Sequence, residues 1–246
     1  MAIDRSLYSS SLYHAILLVL ASNPLFVYGK DFHQWSILSP KTHNVKYSLK
    51  NFCESWRMNV ELNNLRGFDV VPGECVSYIA KYMTSTQYKV DQERAVEQAL
   101  MHLNALNLAA DGKDAWIFDI DDTLLSTVPF FEDHSFGGEV IDRALFERWM
   151  EEIKAPAVKS VLPLYNELKL RGVKIIIITW RAEHLRDVTA QNLVKAGFTG
   201  WSHLIMRGEN DNGKTSVSYK SAKREALVKD GYHIVGNVGD QWSDVL

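Results

Sequence analysis

The sequence predicts an α/β domain, a parallel Rossmann-like sheet with helices on both faces and a small helical cap or flap, and three observations carry that expectation. The run Val173-Lys174-Ile175-Ile176-Ile177-Ile178 is β-branched and has no polarity on either face after Lys174, as a strand buried on both sides requires. Strand-like runs alternate with helix-length amphipathic segments, the pattern of crossover connections between parallel strands. The reactive-looking side chains fall where the strand runs end, which is where parallel sheets bind ligands.

At 246 residues, 46% hydrophobic and 23% charged, the chain has globular composition and length for one sizeable domain with a modest appendage. A net charge of -3 provides no general attraction for nucleic acid or an anionic membrane, so neither is expected as a partner. The apolar segment Ala15 to Ala21 is short for a bilayer span, and Pro24 interrupts the apolar stretch that resumes at Leu25. It reads as a signal peptide within residues 1–29, with Ala21 and Gly29 as candidate cleavage points. That predicts secretion, with no membrane attachment after cleavage, the alternative being an apolar amino-terminal helix that stays attached. Cys53 and Cys75 are the only cysteines, and after a signal peptide such a pair reads as one disulfide, two buried thiols being the alternative. No Asn-x-Ser/Thr sequon is present.

Residues 30–90 are mixed, with Trp35, Trp56, Tyr78 and Tyr82 scattered among polar positions, and read as a loop-and-helix appendage whose aromatics pack. With Asp91 as cap, the spacing of Ala95, Val96, Ala99, Leu100, Leu103 and Leu106 predicts an amphipathic helix that ends before Asp111-Gly112. Ala115 to Phe118 is then a buried strand that breaks into Asp119-Ile120-Asp121-Asp122-Thr123, since such a density of acids cannot enter a core unpaired. The acids can hold a hard cation and leave an oxygen free to react, although Asp and Thr after a strand are also ordinary turn and cap residues.

The next segment, with Phe130, Phe131, His134 and Gly137-Gly138, leads into helices predicted over 142–153 and 156–170, the first of which can close over the acidic loop as a flap. Phe130 and Phe131 are candidate pocket walls. His134 is a candidate acid or base, or simply a packing residue. The strand over 173–178 ends in Thr179-Trp180-Arg181 ahead of a helix over 183–196, so Thr179 is placed either to donate to an anion or to cap that helix. A short strand is expected at 204–206, a helix over 221–229 opened by Tyr219-Lys220-Ser221, and a last strand over 232–235. Lys220 is a candidate countercharge for a phosphate. The last strand runs into Gly236-Asn237-Val238-Gly239-Asp240-Gln241-Trp242-Ser243-Asp244, a Gly-rich turn that presents two more acids.

The order Asp119-x-Asp121-x-Thr123, Thr179, Lys220, Gly239-Asp240-x-x-x-Asp244 resembles the four motifs of the haloacid dehalogenase superfamily. Phe118-Asp-Ile-Asp-Asp-Thr-Leu-Leu-Ser126, Tyr219-Lys-Ser221, Gly239-Asp-Gln-Trp-Ser-Asp244, and upstream Cys53-x-Ser-Trp-Arg57 and Val71-Pro-x-x-Cys75 are similar to the plant acid phosphatase and vegetative storage protein family. The resemblance implies a haloacid dehalogenase-like fold and a Mg²⁺-dependent acid phosphatase acting on small phosphomonoesters, or else a storage protein with weak or no activity. Carried onto this sequence, it implies that Asp119 is the nucleophile that forms an aspartyl-phosphate and that Asp121 is the proton donor and then the base. Thr179 and Lys220 would hold the phosphoryl group. Mg²⁺ would be bound by Asp119, the carbonyl of Asp121 and Asp240, with Asp244 a ligand or its support. Homodimerisation is left open. Trp180 stands where the wider superfamily usually has Gly, which would narrow the phosphate cradle, and similar family members continue with a short tail beyond Leu246.

Overall fold

The computed structural model describes residues 48–246 except 66, 67, 69 and 110, so the expected signal peptide lies outside the described residues. Among the described residues four parallel strands form the sheet: β1 (Asp114–Phe118), β2 (Lys174–Ala182), β3 (His203–Arg207) and β4 (His233–Val238), in spatial order β3-β2-β1-β4. After β1 the chain steps outward through β2 and β3, then returns to the other side of β1. The strand order therefore reverses between β1 and β4, and the crevice outside their carboxyl ends is where such a sheet accepts a ligand.

Alternation along the strands sorts the core. Trp116, Phe118, Ile175 and Ile177 face one side, where α3 (Thr86–Ala105), α5 (Arg143–Glu151), α6 (Leu162–Leu170) and α7 (Arg186–Lys195) add Leu103, Trp149, Leu164 and Leu193. Ala115, Ile117, Ile176 and Ile178 face the other, covered by Tyr219 and Leu227 of α8 (Ser216–Lys229). Burying each Ile of β2 stabilises the fold by roughly 1.5–3 kcal/mol, which makes this strand the anchor of both layers. A Cβ added at Gly236 would lie 2.4 Å from the Trp116 ring, so β4 needs glycine where that indole crosses it.

β2 runs on to Ala182 and β4 to Val238, past the expected ends at 178 and 235, so residues 236–238 are strand and not turn. Three helix starts also differ from the sequence expectation. α3 begins at Thr86, not after Asp91, because Ser85 caps it by accepting from the Tyr88 N–H; Asp91 instead accepts the Tyr82 hydroxyl at 2.7 Å. Residues 156–158 extend along the acidic loop, with Ser126 N–H donating to Pro156 O and Val158 N–H to Leu124 O, so α6 starts only at Leu162. α8 starts five residues earlier than expected, at Ser216, because Thr215 and Ser218 form a capping box.

A second, smaller cluster joins α1 (Leu49–Glu61), α2 (Val76–Met83) and the start of α3 around Cys53, Trp56, Val60, Cys75, Ile79 and Tyr82. Cys53 and Cys75 are disulfide-bonded, with their Cα atoms 5.3 Å apart. The segment after the acidic loop docks on this cluster through Val128 and Phe136, and Val71 N–H donates to Gly137 O at 2.8 Å. Phe130 and Phe131 belong to α4 (Val128–Glu132) and pack into the main core. Both are buried, and Phe130 stacks on His134 at 4.1 Å and packs against Phe146 and Trp149. His134 has a packing role as well, its Nδ1 lying 2.7 Å from Phe130 O.

Candidate active site

β1 and β4 end side by side, Phe118 opposite Val238, and Asp119 N–H adds one more rung by donating to Val238 O. Beyond that rung the chain turns. The N–H groups of Thr123, Leu124 and Leu125 all converge on Ile120 O, and Asp122 takes a left-handed conformation at φ 57° that Asp tolerates. The strand thus stops where its acids begin, as the sequence implied.

Asp119, Asp240 and Asp244 come together across the crevice, their ligand oxygens all within 4.8 Å of one another. Lys220, buried in α8, reaches into this group: its Nζ lies 3.0 Å from Asp119 Oδ1 and 2.5 Å from Asp244 Oδ1. Burial works against the Lys220 ammonium, but Asp119 and Asp244 outweigh it and hold its pKa above the ordinary lysine value. Asp119 is pushed up to about 7 by burial, against the pull of Lys220 and with the neighbouring Asp244 and Asp121 adding to the rise. Burial, reinforced by Asp119 and Asp244, also raises Asp240 well above the usual carboxylate range. One ammonium cannot neutralise three acids, and the excess negative charge is what a cation would relieve.

The donor set fits a hard divalent cation. It consists of carboxylate oxygens, and Asp240 Oδ1 is buried without a hydrogen-bond partner. Asp244 is more fully engaged, with Oδ1 on Lys220 and Oδ2 accepting the Gln241 N–H at 3.0 Å. Gly239 is required beside it, since an added Cβ would lie 2.2 Å from the Asp244 carboxyl.

Asp121 does not join this cluster. Its carboxylate is gripped by Arg181, with Nη2 to Oδ1 at 2.6 Å and Nε to Oδ2 at 3.0 Å, while remaining partly exposed. Arg181 is itself buried and also donates to Thr189 Oγ1 at 3.2 Å. Thr179 lies inside β2, which continues to Ala182, and its hydroxyl accepts the Arg181 N–H at 3.2 Å, so it is tied to Asp121 through Arg181. Trp180 between them packs edge-on against Tyr219, the residue before Lys220, with its ring centroid 5.4 Å away.

Sequence reasoning missed the work of Arg181 and Asp122. The signal for Arg181 was there: two positions after Thr179 in a strand, it shares the face of the hydroxyl. Asp122 is the buried brace of the loop, accepting the Thr127 N–H at 2.7 Å and the Thr127 hydroxyl; burial outweighs those bonds and raises its pKa to about 7.

Comparison with known proteins agrees with this architecture. Residues 40–246 match the family described as HAD superfamily, subfamily IIIB (acid phosphatase). The chain is 46% identical over 194 residues to Acid phosphatase 1 of Solanum lycopersicum, covering 79% of this chain and 76% of that one. It is 40% identical over 196 residues to Vegetative storage protein 1 of Arabidopsis thaliana, covering 79% and 72%. Among solved structures, the class C acid phosphatase of Bacillus anthracis superposes with a TM-score of 0.58 at 21% identity, covering 69% of this chain and 70% of that one, a likeness of fold. With the matched region spanning every element of the site, the chain belongs to subfamily IIIB of the HAD superfamily, the acid phosphatase family.

Proposed function

We propose that this chain is a Mg²⁺-dependent acid phosphatase that hydrolyses small phosphomonoesters through an aspartyl-phosphate on Asp119. The observation that carries the reading is the buried contact of Asp119 with Lys220 beside the unpartnered oxygen of Asp240. A carboxylate nucleophile meets repulsion from a phosphate dianion, and a fixed ammonium 3.0 Å away offsets part of it without reorganisation. Asp121, aimed by the Arg181 fork, enters the cycle in its protonated form and gives that proton to the departing alkoxide as Asp119 attacks phosphorus. Asp121 then takes a proton from the water that cleaves the acyl phosphate, and Asp119 is restored. Thr179 and Lys220 hold the transferring group, which divides one slow hydrolysis into two easier displacements. A divalent cation held by Asp119, Asp240 and the carbonyl of Asp121 would neutralise the phosphoryl oxygens. The contacts of Asp244 favour a supporting role, holding Lys220 and its own loop.

Residues 1–29 are read as a cleaved leader and 30–246 as one domain with an appendage over 30–90. The disulfide and the likeness to a stem glycoprotein of Glycine max, 40% identical over 195 residues, support a secreted or vacuolar location. Among the described residues no helix is long and apolar enough to cross a membrane.

The similarity to vegetative storage proteins supports a second reading, a nitrogen reserve in which turnover is incidental. One experiment separates the two: hydrolysis of an aryl phosphate by the purified chain with Mg²⁺ and with chelator, beside Asp119→Asn. We expect metal-dependent turnover that falls at least about a thousandfold in the variant. A folded wild-type chain without turnover would give the storage reading.

A further inference from the structure

The metal-site loop is fastened to the disulfide-linked appendage through Trp242. Trp242 stands between Asp240 and Asp244, and its indole Nε1–H donates to Glu61 O at 3.0 Å, across 181 positions of sequence. Glu61 is the last residue of α1, so its carbonyl is one of the terminal acceptors that the helix itself leaves open. α1 packs chiefly on α2 and on the turn at Gly73–Cys75. Cys53, about two turns before Glu61 in α1, is disulfide-bonded to Cys75 in that turn. The cluster around them is small, and the two bridged cysteines are themselves among its fully buried members. Small cores depend on crosslinks for their rigidity.

We propose that the Cys53–Cys75 disulfide sets the affinity of the acidic site for a divalent cation, by fixing α1, whose terminal carbonyl holds Trp242 and with it the Asp240–Asp244 loop. The inference rests on the metal-site reading above. Trp242 is a positioning residue: it touches neither the cation nor the substrate in this account, but sets where Asp240 stands, and groups that orient ligands influence metal affinity strongly. The device is redox-sensitive. When a dithiol attacks one sulfur and then closes to its own cyclic disulfide, it passes two electrons and two protons to the cystine, Cys53 and Cys75 become thiols, and α1 is released from the 73–75 turn. The site would be tight in an oxidising compartment and loose in a reducing one.

The test is calorimetric titration of Mg²⁺ into four samples: wild type and Trp242→Phe, each oxidised and dithiol-treated, with far-UV circular dichroism as the check of fold. Trp242→Phe keeps an aromatic ring and removes the donor. Reduction of the wild type and the substitution in the oxidised chain should each raise the Kd about fivefold, equivalent to about 1 kcal/mol. Reduction of Trp242→Phe should add nothing further, because the connection is already cut. Unchanged affinity in the folded reduced wild type, unchanged affinity in oxidised Trp242→Phe, or effects that multiply would each overturn the proposal. If the reduced chain unfolds, unchanged affinity in oxidised Trp242→Phe still overturns the proposal. Failure of the metal-site reading looks different: oxidised wild type would not bind Mg²⁺ at all, and the inference would fall with it. If wild type binds and Asp240→Asn does not, while reduction changes nothing, only the connection through Trp242 is refuted.

Discussion

Two acidic clusters sit at opposite ends of β1 and β4, and by residue type they look alike. At the carboxyl ends Asp119, Asp240 and Asp244 converge; at the amino ends Asp111, Asp114 and His233 bring their ligand atoms within the same 4.8 Å. What separates them is what those atoms already do. Asp114 accepts the Ala109 N–H at 2.6 Å, Asp111 accepts the Lys113 N–H at 2.8 Å, and Asp111 and His233 are exposed, so water and backbone satisfy that end. At the other end Asp119 and Asp244 are buried and share one lysine, while half-buried Asp240 keeps its own Oδ1 out of water with no hydrogen-bond partner. Clustered acids alone are a turn. Clustered acids with unfilled valence and excess buried charge are a site.

The largest expected effect breaks this contrast directly. Asp240→Asn should weaken Mg²⁺ binding at least about a hundredfold and abolish thermal stabilisation by Mg²⁺. Asp114→Asn, which keeps an acceptor for Ala109, should leave both unchanged. Scanning calorimetry with and without the ion checks the pair, and equal losses in the two variants would erase the distinction between the ends.

Next in size is the grip on Asp121. Arg181→Lys keeps the charge but loses the two-pronged donor set, so kcat should fall about ten- to a hundredfold while KM stays within about a factor of three. Steady-state kinetics at several pH values separates that outcome from a general loss of fold, which would lower the active fraction and leave the remaining enzyme with normal constants.

The smallest effect concerns pH, and its sign follows from burial. Asp119 and Asp122 titrate near 7 in the folded, metal-free chain and near 3.8 when unfolded. Between those values the folded state binds more protons, so stability should fall as pH rises from about 4 to about 7. On the metal-site reading proposed above Mg²⁺ should flatten the decline, since carboxylates bind a cation in their deprotonated form and affinity then rises with pH. Urea midpoints measured with chelator and with Mg²⁺ across that range test both statements. A chelated chain that grows more stable toward pH 7 would show that Lys220 outweighs burial at the site.

Much of this molecule is legible in its residues because local rules suffice for it. The apolar run over 173–178 admits no other place than a doubly covered strand, and the density of acids after Phe118 forces the chain out of the core. Strand ends in a parallel sheet share one side, so the gathering of Asp119 and Asp240 follows from their positions in the order of elements. Helix starts are harder to read where several residues can cap: Ser85 and Thr215 hold the role, their hydroxyls accepting the backbone N–H of Tyr88 and Ser218.

What only the tertiary structure decided are the partnerships between residues far apart in the chain. That Lys220 bridges Asp119 and Asp244, that Arg181 holds Asp121 across 60 positions, and that Trp242 reaches the end of α1 all depend on how layers dock. Sequence fixes which groups a strand end or a helix turn presents, because backbone periodicity is local. Which of them meet, and which oxygen is left without a partner, is set by packing distances of a few tenths of an ångström that no local rule contains.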